Sequence, residues 1–217
     1  MIELVSGKQG SGKTLYATKE ALRYLKKGCK VYTNYFVKGC YVLPSNWYDF
    51  KYEDGSVIVF DEAQLIYNCR DFSIKDKQKE YRSLLAYLTM CRHYGIHIIF
   101  ITQSLARLDV QIRDLATEVL RFKKTYKLPY LWVKDKKLCF CSLPLFSTGR
   151  YFDDVLDVDR YLNAPSRTMA NEFGWRFIKL CSFKAMKSYD THIIDEVYLK
   201  KKLIPSHLWA ENLICQG

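Results

Sequence analysis

Ile2-Glu3-Leu4-Val5-Ser6-Gly7-Lys8-Gln9-Gly10-Ser11-Gly12-Lys13-Thr14 is the stretch from which the rest of the chain can be read. Ile2 to Val5 forms a short apolar strand pattern, and Gly7 to Thr14 fits the template of a glycine, four residues, then Gly-Lys-Thr. Glycines let successive backbone N–H groups turn inward around a polyphosphate, where Cβ atoms would obstruct them. Lys13 would then reach the β- and γ-phosphates as a point charge, and the Thr14 hydroxyl would take a place on Mg²⁺. A helix starting near Thr14 would add the positive end of its dipole. A glycine-rich turn with a chance lysine would carry the same letters. The strand before the loop and the helix after it are the context that separates the two readings.

From Thr14 to Lys27, Leu15, Ala21, Leu22 and Leu25 recur at helical spacing, and Gly28 follows as a terminator. Lys30 to Asn34 is a second strand, so the order strand, helix, strand predicts a βαβ unit and a parallel sheet. Tyr35 to Tyr52, aromatic and interrupted by Gly39 and Pro44, shows no sustained period and is expected to hold loops and short strands. After Gly55, the run Val57-Ile58-Val59-Phe60 predicts a strand buried on both faces. Asp61 and Glu62 then fall at its carboxyl end, where open α/β sheets place their ligands. Beside a phosphate loop, Asp61 is the candidate Mg²⁺ partner, and Glu62 the candidate to orient and deprotonate an attacking water. The competing reading is an acidic strand end that caps the next helix.

Tyr67 to Lys79 interleaves Arg70, Lys75, Lys77 and Lys79 with Phe72, and leads into a helix running to about Tyr94. Such a loop is either a solvated face or a grip on a nucleic-acid backbone, with Phe72 or Tyr67 stacking on a base. Gly95 closes the helix, and Ile96 to Thr102 is a third apolar strand. Gln103 follows at its carboxyl end, as a γ-phosphate or water sensor or as a plain loop glutamine. Asp109 to Ala116 predicts a short amphipathic helix, and Glu118 to Tyr126 a strand with Arg121, Lys123 and Lys124. Tyr130 to Val133 and Leu138 to Leu143 flank Asp135-Lys136-Lys137 as a hairpin with a basic tip, a solvated turn or a DNA contact. Val155 to Leu162 is a candidate helix, Pro165 marks a loop, and Lys200-Lys201-Lys202 stands near the C-terminus, where it would solubilise the chain or touch a polyanion.

With 217 residues, 49% hydrophobic and 26% charged, the chain can bury one α/β domain of ordinary size, and no repeat or low-complexity segment argues otherwise. Its formal charge of +11, spread along the chain, points to a polyanionic partner such as nucleic acid or a phospholipid surface. The eight cysteines are scattered through helix-like and strand-like segments, and Cys139-x-Cys141 is not a zinc-knuckle spacing, so free cytosolic thiols are expected. A start directly on a strand predicts no signal peptide, and no apolar run approaches the roughly 20 residues of a membrane span.

By Gln103 the chain resembles the zonular occludens toxin-like (Zot-like) P-loop ATPases, the assembly ATPases of filamentous bacteriophages, within the wider class of hexameric DNA pumps that includes FtsK and HerA. The residues carrying the resemblance are Gly7 to Thr14; Val57 to Gln64, with its Asp-Glu-Ala-Gln ending; Arg92-His93-Tyr94-Gly95-Ile96 running into Ile98 to Gln103; and Leu108 to Leu115. They cover about residues 1–125. The resemblance implies an ATP- and Mg²⁺-dependent motor that assembles as a homo-oligomeric ring, a hexamer by the class pattern, and moves or extrudes DNA, single-stranded by preference, in virion assembly. It also implies an arginine donated to the neighbouring subunit's site, for which Arg92 and Arg113 are the candidates. Members on this pattern usually carry a membrane span after the ATPase domain. The expectation here is either a span on another virion-assembly or membrane protein, or a relative that packages DNA into a preformed capsid.

The combined expectation is an α/β P-loop NTPase, a mainly parallel sheet flanked by helices with a small β-rich or irregular C-terminal part. The ATPase core is placed at residues 1–145, and an extension packed on the core or binding a partner at 146–217. Residues 7–14 (Gly7, Lys8, Gln9, Gly10, Ser11, Gly12, Lys13 and Thr14) would bind ATP, Thr14 and Asp61 would hold Mg²⁺, and Glu62 and Gln103 would complete the catalytic set. The site of action would be the host cytoplasm or the cytosolic face of the inner membrane. Competing functions are genome packaging in an icosahedral virus, which preference for duplex DNA would mark, and a non-hydrolysing, nucleotide-dependent interaction protein. Loss of Lys13 or Glu62 would signal the latter, and both are present.

Overall fold

The computed structural model describes residues 1–44, 46–65, 67, 78–134 and 137–190. The basic run 68–77, the hairpin tip at Asp135-Lys136 and the lysine triplet 200–202 lie outside the described residues. In chain order the elements are β1 (Ile2–Gly7), α1 (Lys13–Lys26), β2 (Val31–Thr33), β3 (Phe36–Val37), β4 (Tyr41–Val42), β5 (Val57–Phe60), α2 (Gln78–Met90), β6 (His97–Thr102), α3 (Val110–Asp114), β7 (Glu118–Lys134), β8 (Lys137–Phe152), α4 (Val155–Asn163), α5 (Arg167–Ala170), β9 (Trp175–Leu180), α6 (Phe183–Ser188) and β10 (Tyr189–Asp190).

Eight strands form one sheet in the order β4-β2-β5-β6-β1-β7-β8-β9. The six from β4 to β7 run parallel. The continuous apolar runs of β1, β5 and β6 follow from burial on both faces, because side chains alternate across a strand. Ile2 and Leu4, Ile58 and Phe60, and Ile98 and Phe100 point into one layer with Leu84 and Leu88 of α2, Ile112 of α3 and Val155 and Val158 of α4. Val5, Val57, Val59, Ile99 and Ile101 point into the opposite layer with Tyr16, Ala17 and Ala21 of α1. The parallel strands, flanked by helices on both faces, bear out the predicted fold class. Within the second layer Glu3 is a buried acid on β1. It accepts a hydrogen bond from the Tyr16 hydroxyl at 2.9 Å and lies 3.3 Å from His97 Nε2.

Both predicted helix stops hold. At the end of α1 the Cys29 N–H reaches the Tyr24 carbonyl and the Gly28 N–H the Leu25 carbonyl. After α2 the Ile96 and Gly95 N–H groups reach the Cys91 and Arg92 carbonyls in the same paired pattern. The helix predicted to reach Tyr94 therefore has its last regular residue at Met90 and closes through a turn.

The C-terminal third is more regular than its sequence suggests. Instead of a strand ending near Tyr126 and a separate small hairpin, β7 and β8 pair antiparallel from Val119↔Phe152 to Lys134↔Lys137, with irregularities after Phe122 and Tyr126. β9 then pairs with β8. Position 145, where the core was expected to end, falls inside β8. Arg150 of β8 is buried, with no carboxylate partner among the described residues. Its guanidinium donates to the carbonyls of Phe173, Gly174 and Ala170 and to the Asn171 amide oxygen, and lies over the Tyr161 ring, tying α5 and the turn before β9 to the sheet.

Candidate functional site

Gly7 to Gly12 links the carboxyl end of β1 to the amino end of α1, so the loop lies at the edge of the sheet where β5 and β6 also end. Gly12 is the N-cap of α1, with φ 92°, and no side chain caps the helix. The first N–H groups of α1 are thus left for an outside acceptor, and no acidic residue stands in the first turn to compete with an anion. Gly12 is also constrained from behind: a Cβ there would come within 2.4 Å of Ser147 Oγ and 2.7 Å of Thr125 Oγ1 on the long hairpin. Those two hydroxyls bond each other at 2.8 Å, so β7 and β8 brace the loop.

Lys13 is buried, and its Nζ donates to the Lys8 carbonyl at 3.1 Å across the loop. Burial lowers its pKa, and the charges of Glu62 and then Asp61 act in the opposite direction. Ser11 Oγ is buried with no hydrogen-bond partner among the described residues, and Lys8, Gln9 and Gly10 are exposed.

The acidic pair sits across from this loop. Asp61 Oδ2 accepts the Thr14 hydroxyl at 2.8 Å, and Oδ1 accepts the Glu62 N–H at 2.8 Å. Burial pushes the Asp61 carboxyl up to about 6, against the opposing pull of the Thr14 hydrogen bond. A hydroxyl and a buried carboxylate side by side are the hard oxygen donors that Mg²⁺ takes from protein, with the rest of its shell left to water and phosphate. Among the described residues no group of three or more His, Cys, Asp or Glu side chains forms an all-protein metal cage.

The sheet order explains how Gln103 enters. β6 lies between β1 and β5, so its carboxyl end opens between the loop and the acidic pair. Gln103 Nε2 donates to both Glu62 carboxylate oxygens, at 3.0 and 3.2 Å. Glu62 has φ 53°, the one left-handed non-glycine backbone among the described residues, and this conformation turns it out of the strand direction that ends at Phe60.

Two further residues belong to the site and were not expected from the sequence. Asn34, after β2, clasps the Asp61 backbone, its amide donating to the Asp61 carbonyl at 2.8 Å while its oxygen accepts the Asp61 N–H at 2.7 Å. Gln64, buried, donates from Nε2 to Glu62 and accepts the Gln103 N–H at 3.4 Å. Their signal is positional: Asn34 ends a strand adjacent to β5, and Gln64 stands two residues after Glu62.

The arginines lie elsewhere. Arg92 follows α2 and precedes the amino end of β6, near the Met1 amino group and so at the opposite edge of the sheet from Lys13. Arg113 is on α3, with its Nε buried and without an acceptor among the described residues. No hydrogen bond or ion pair among the described residues joins either one to the Asp61–Glu62 cluster.

A glycine-rich loop between β1 and α1, an acidic pair ending β5 and an amide ending the strand between them define a P-loop NTPase fold. Residues 42–130 match the family model described as zonular occludens toxin (Zot). The chain is 32% identical over 128 residues to the putative assembly protein ORF301 of Pseudomonas phage Pf3; the match takes in 53% of this chain and 40% of that protein's length. Among solved structures it resembles the N-terminal domain of zonular occludens toxin from Neisseria meningitidis, at 20% identity and a TM-score of 0.56, covering 87% of this chain and 98% of that one. This likeness shows the shared fold. A fainter likeness, TM-score 0.44 at 14% identity over 83% of this chain and 96% of the other, is to the genome packaging NTPase B204 of Sulfolobus turreted icosahedral virus 2 in complex with ATP-gammaS. Among the described residues no helix is long and apolar enough to cross a membrane.

Proposed function

We propose that this chain is a Mg²⁺-dependent ATPase that drives DNA movement or extrusion during filamentous virus assembly. The observation that carries the proposal is the meeting, at one edge of the sheet, of an uncapped helix N-terminus, Lys13, the Thr14–Asp61 pair and Glu62 held by Gln103. The assembly role is supported by the likeness to the Pf3 phage assembly protein.

In this reading the N–H groups opening α1, the buried Ser11 hydroxyl and Lys13 receive the β- and γ-phosphates, and Lys13 leaves the Lys8 carbonyl to do so. Thr14 and Asp61 would hold Mg²⁺, which would supply charge neutralisation to the phosphates. Glu62 accepts the proton of the attacking water, and Gln103, exposed at the end of β6, contacts the γ-phosphate or that water. Arg92 or Arg113 would complete a neighbour's site in a homo-oligomeric, hexameric ring. DNA, single-stranded by preference, is the polyanion that the +11 charge would serve. Action would be in the host cytoplasm or at the cytosolic face of its inner membrane, alongside other virion-assembly proteins. Residues 146–217 would pack on the core or bind a partner.

The test is Mg²⁺-ATP turnover with and without DNA. Turnover raised by single strands supports assembly of a filamentous particle. Stimulation by duplex alone replaces that reading with capsid packaging, and nucleotide binding without turnover replaces it with a nucleotide-dependent interaction protein.

A further inference from the structure

Gln64 is a buried amide at the site whose two polar atoms both serve other site residues. It stands in the short 3₁₀ turn Ala63–Leu65 that follows the acidic pair. Its Nε2 donates to Glu62 Oε2, and its Oε1 accepts the backbone N–H of Gln103. The Gln103 side chain in turn donates to the Glu62 carboxylate. Glu62, Gln64 and Gln103 therefore close a ring of hydrogen bonds between the end of β5 and the end of β6, two strands joined otherwise by their backbone ladder.

The ring has a consequence for Glu62. A glutamate at φ 53° is in a strained, sparsely populated conformation that persists where its surroundings over-determine it. Gln64 supplies part of that determination. It also reports the position of Gln103 to Glu62 directly, since any shift of the Gln103 backbone moves the oxygen that accepts from it, and with it the amide that holds Oε2.

Resting on the proposed hydrolysis, we infer that Gln64 is a positioning residue that aims Glu62 at the attacking water and couples its aim to Gln103. Gln64 does not touch the nucleotide. It acts through Glu62, so its loss lowers kcat and leaves nucleotide binding nearly intact.

The experiment compares steady-state ATP turnover by wild type, Gln64→Leu, Gln103→Ala and the Gln64→Leu/Gln103→Ala pair, with binding of a fluorescent ATP analogue measured on each. Gln64→Leu should lower kcat ten- to hundredfold with KM and analogue affinity changed less than threefold. Because both residues act on Glu62, the double variant should lose little more than the worse single one. Wild-type kcat in Gln64→Leu, or fully additive losses in the pair, would overturn the inference while Lys13-dependent turnover by the wild type stands. If wild type itself shows no Lys13-dependent turnover, the hydrolysis reading fails, and this inference with it.

Discussion

Replacing Asp61 by asparagine should make the metal-free protein more stable at neutral pH while ending its Mg²⁺-dependent chemistry. Asp61 is buried, and its carboxyl is raised from 3.8 to about 6, with burial the largest cause. A raised acid holds its proton more tightly folded than unfolded. Its protonated form is therefore the favoured one, and stability is lost as pH climbs from about 4 through 6. Two pH units correspond to about 3 kcal/mol, of which a little over 1 kcal/mol falls between pH 5 and 7. Asparagine keeps the shape, and its oxygen can still accept the Glu62 N–H that Oδ1 accepts now. Urea unfolding without Mg²⁺ should find Asp61→Asn more stable than wild type by up to about 3 kcal/mol at pH 7, on the order of 6–12 °C in Tm for a chain of this size, with the gap under about 1 kcal/mol at pH 4. Mg²⁺ with nucleotide should stabilise wild type and not the variant. A variant no more stable than wild type at pH 7, or a gap that ignores pH, would refute the reasoning that burial stores this cost for the metal to relieve.

Gly12→Ala should cost about 2 kcal/mol or more, because alanine at φ 92° is strained and its Cβ meets Ser147 Oγ and Thr125 Oγ1; chemical denaturation reads the cost, and adding Ser147→Ala should return part of it. Arg150→Met should cost about 2–4 kcal/mol, since it strands the carbonyls of Ala170, Phe173 and Gly174 that the guanidinium serves. The same variant should increase amide exchange in β9 while leaving β1 and β6 protected.

The central sheet was legible because its strands carry their period openly. Val57 to Phe60 and Ile98 to Ile101 are apolar on both faces, and only a strand between two helix layers needs that. Loop, acidic pair and Gln103 followed from residue type at a strand's carboxyl end. The long hairpin was not legible: Pro129 and Pro144 interrupt its alternation, and its pairing through them is set by the partner strand rather than by local preference. β9 went unseen for a related reason. Its packing depends on Phe177 standing across from Gly149, where a Cβ would come within 2.5 Å of the ring, and a lone alternating hexapeptide does not state that. Asn34 and Gln64 were hidden by strand order. Neither residue signals a role until β2 and β6 are known to flank β5.

Lys13 is where loop, acid pair and charge converge, so the decisive measurement is steady-state ATP hydrolysis by wild type and Lys13→Ala, each alone and with single- or double-stranded DNA. Mg²⁺-dependent turnover by wild type should rise with single strands and fall by orders of magnitude in Lys13→Ala. Equal, slow hydrolysis by both proteins, indifferent to DNA, would contradict the proposed function.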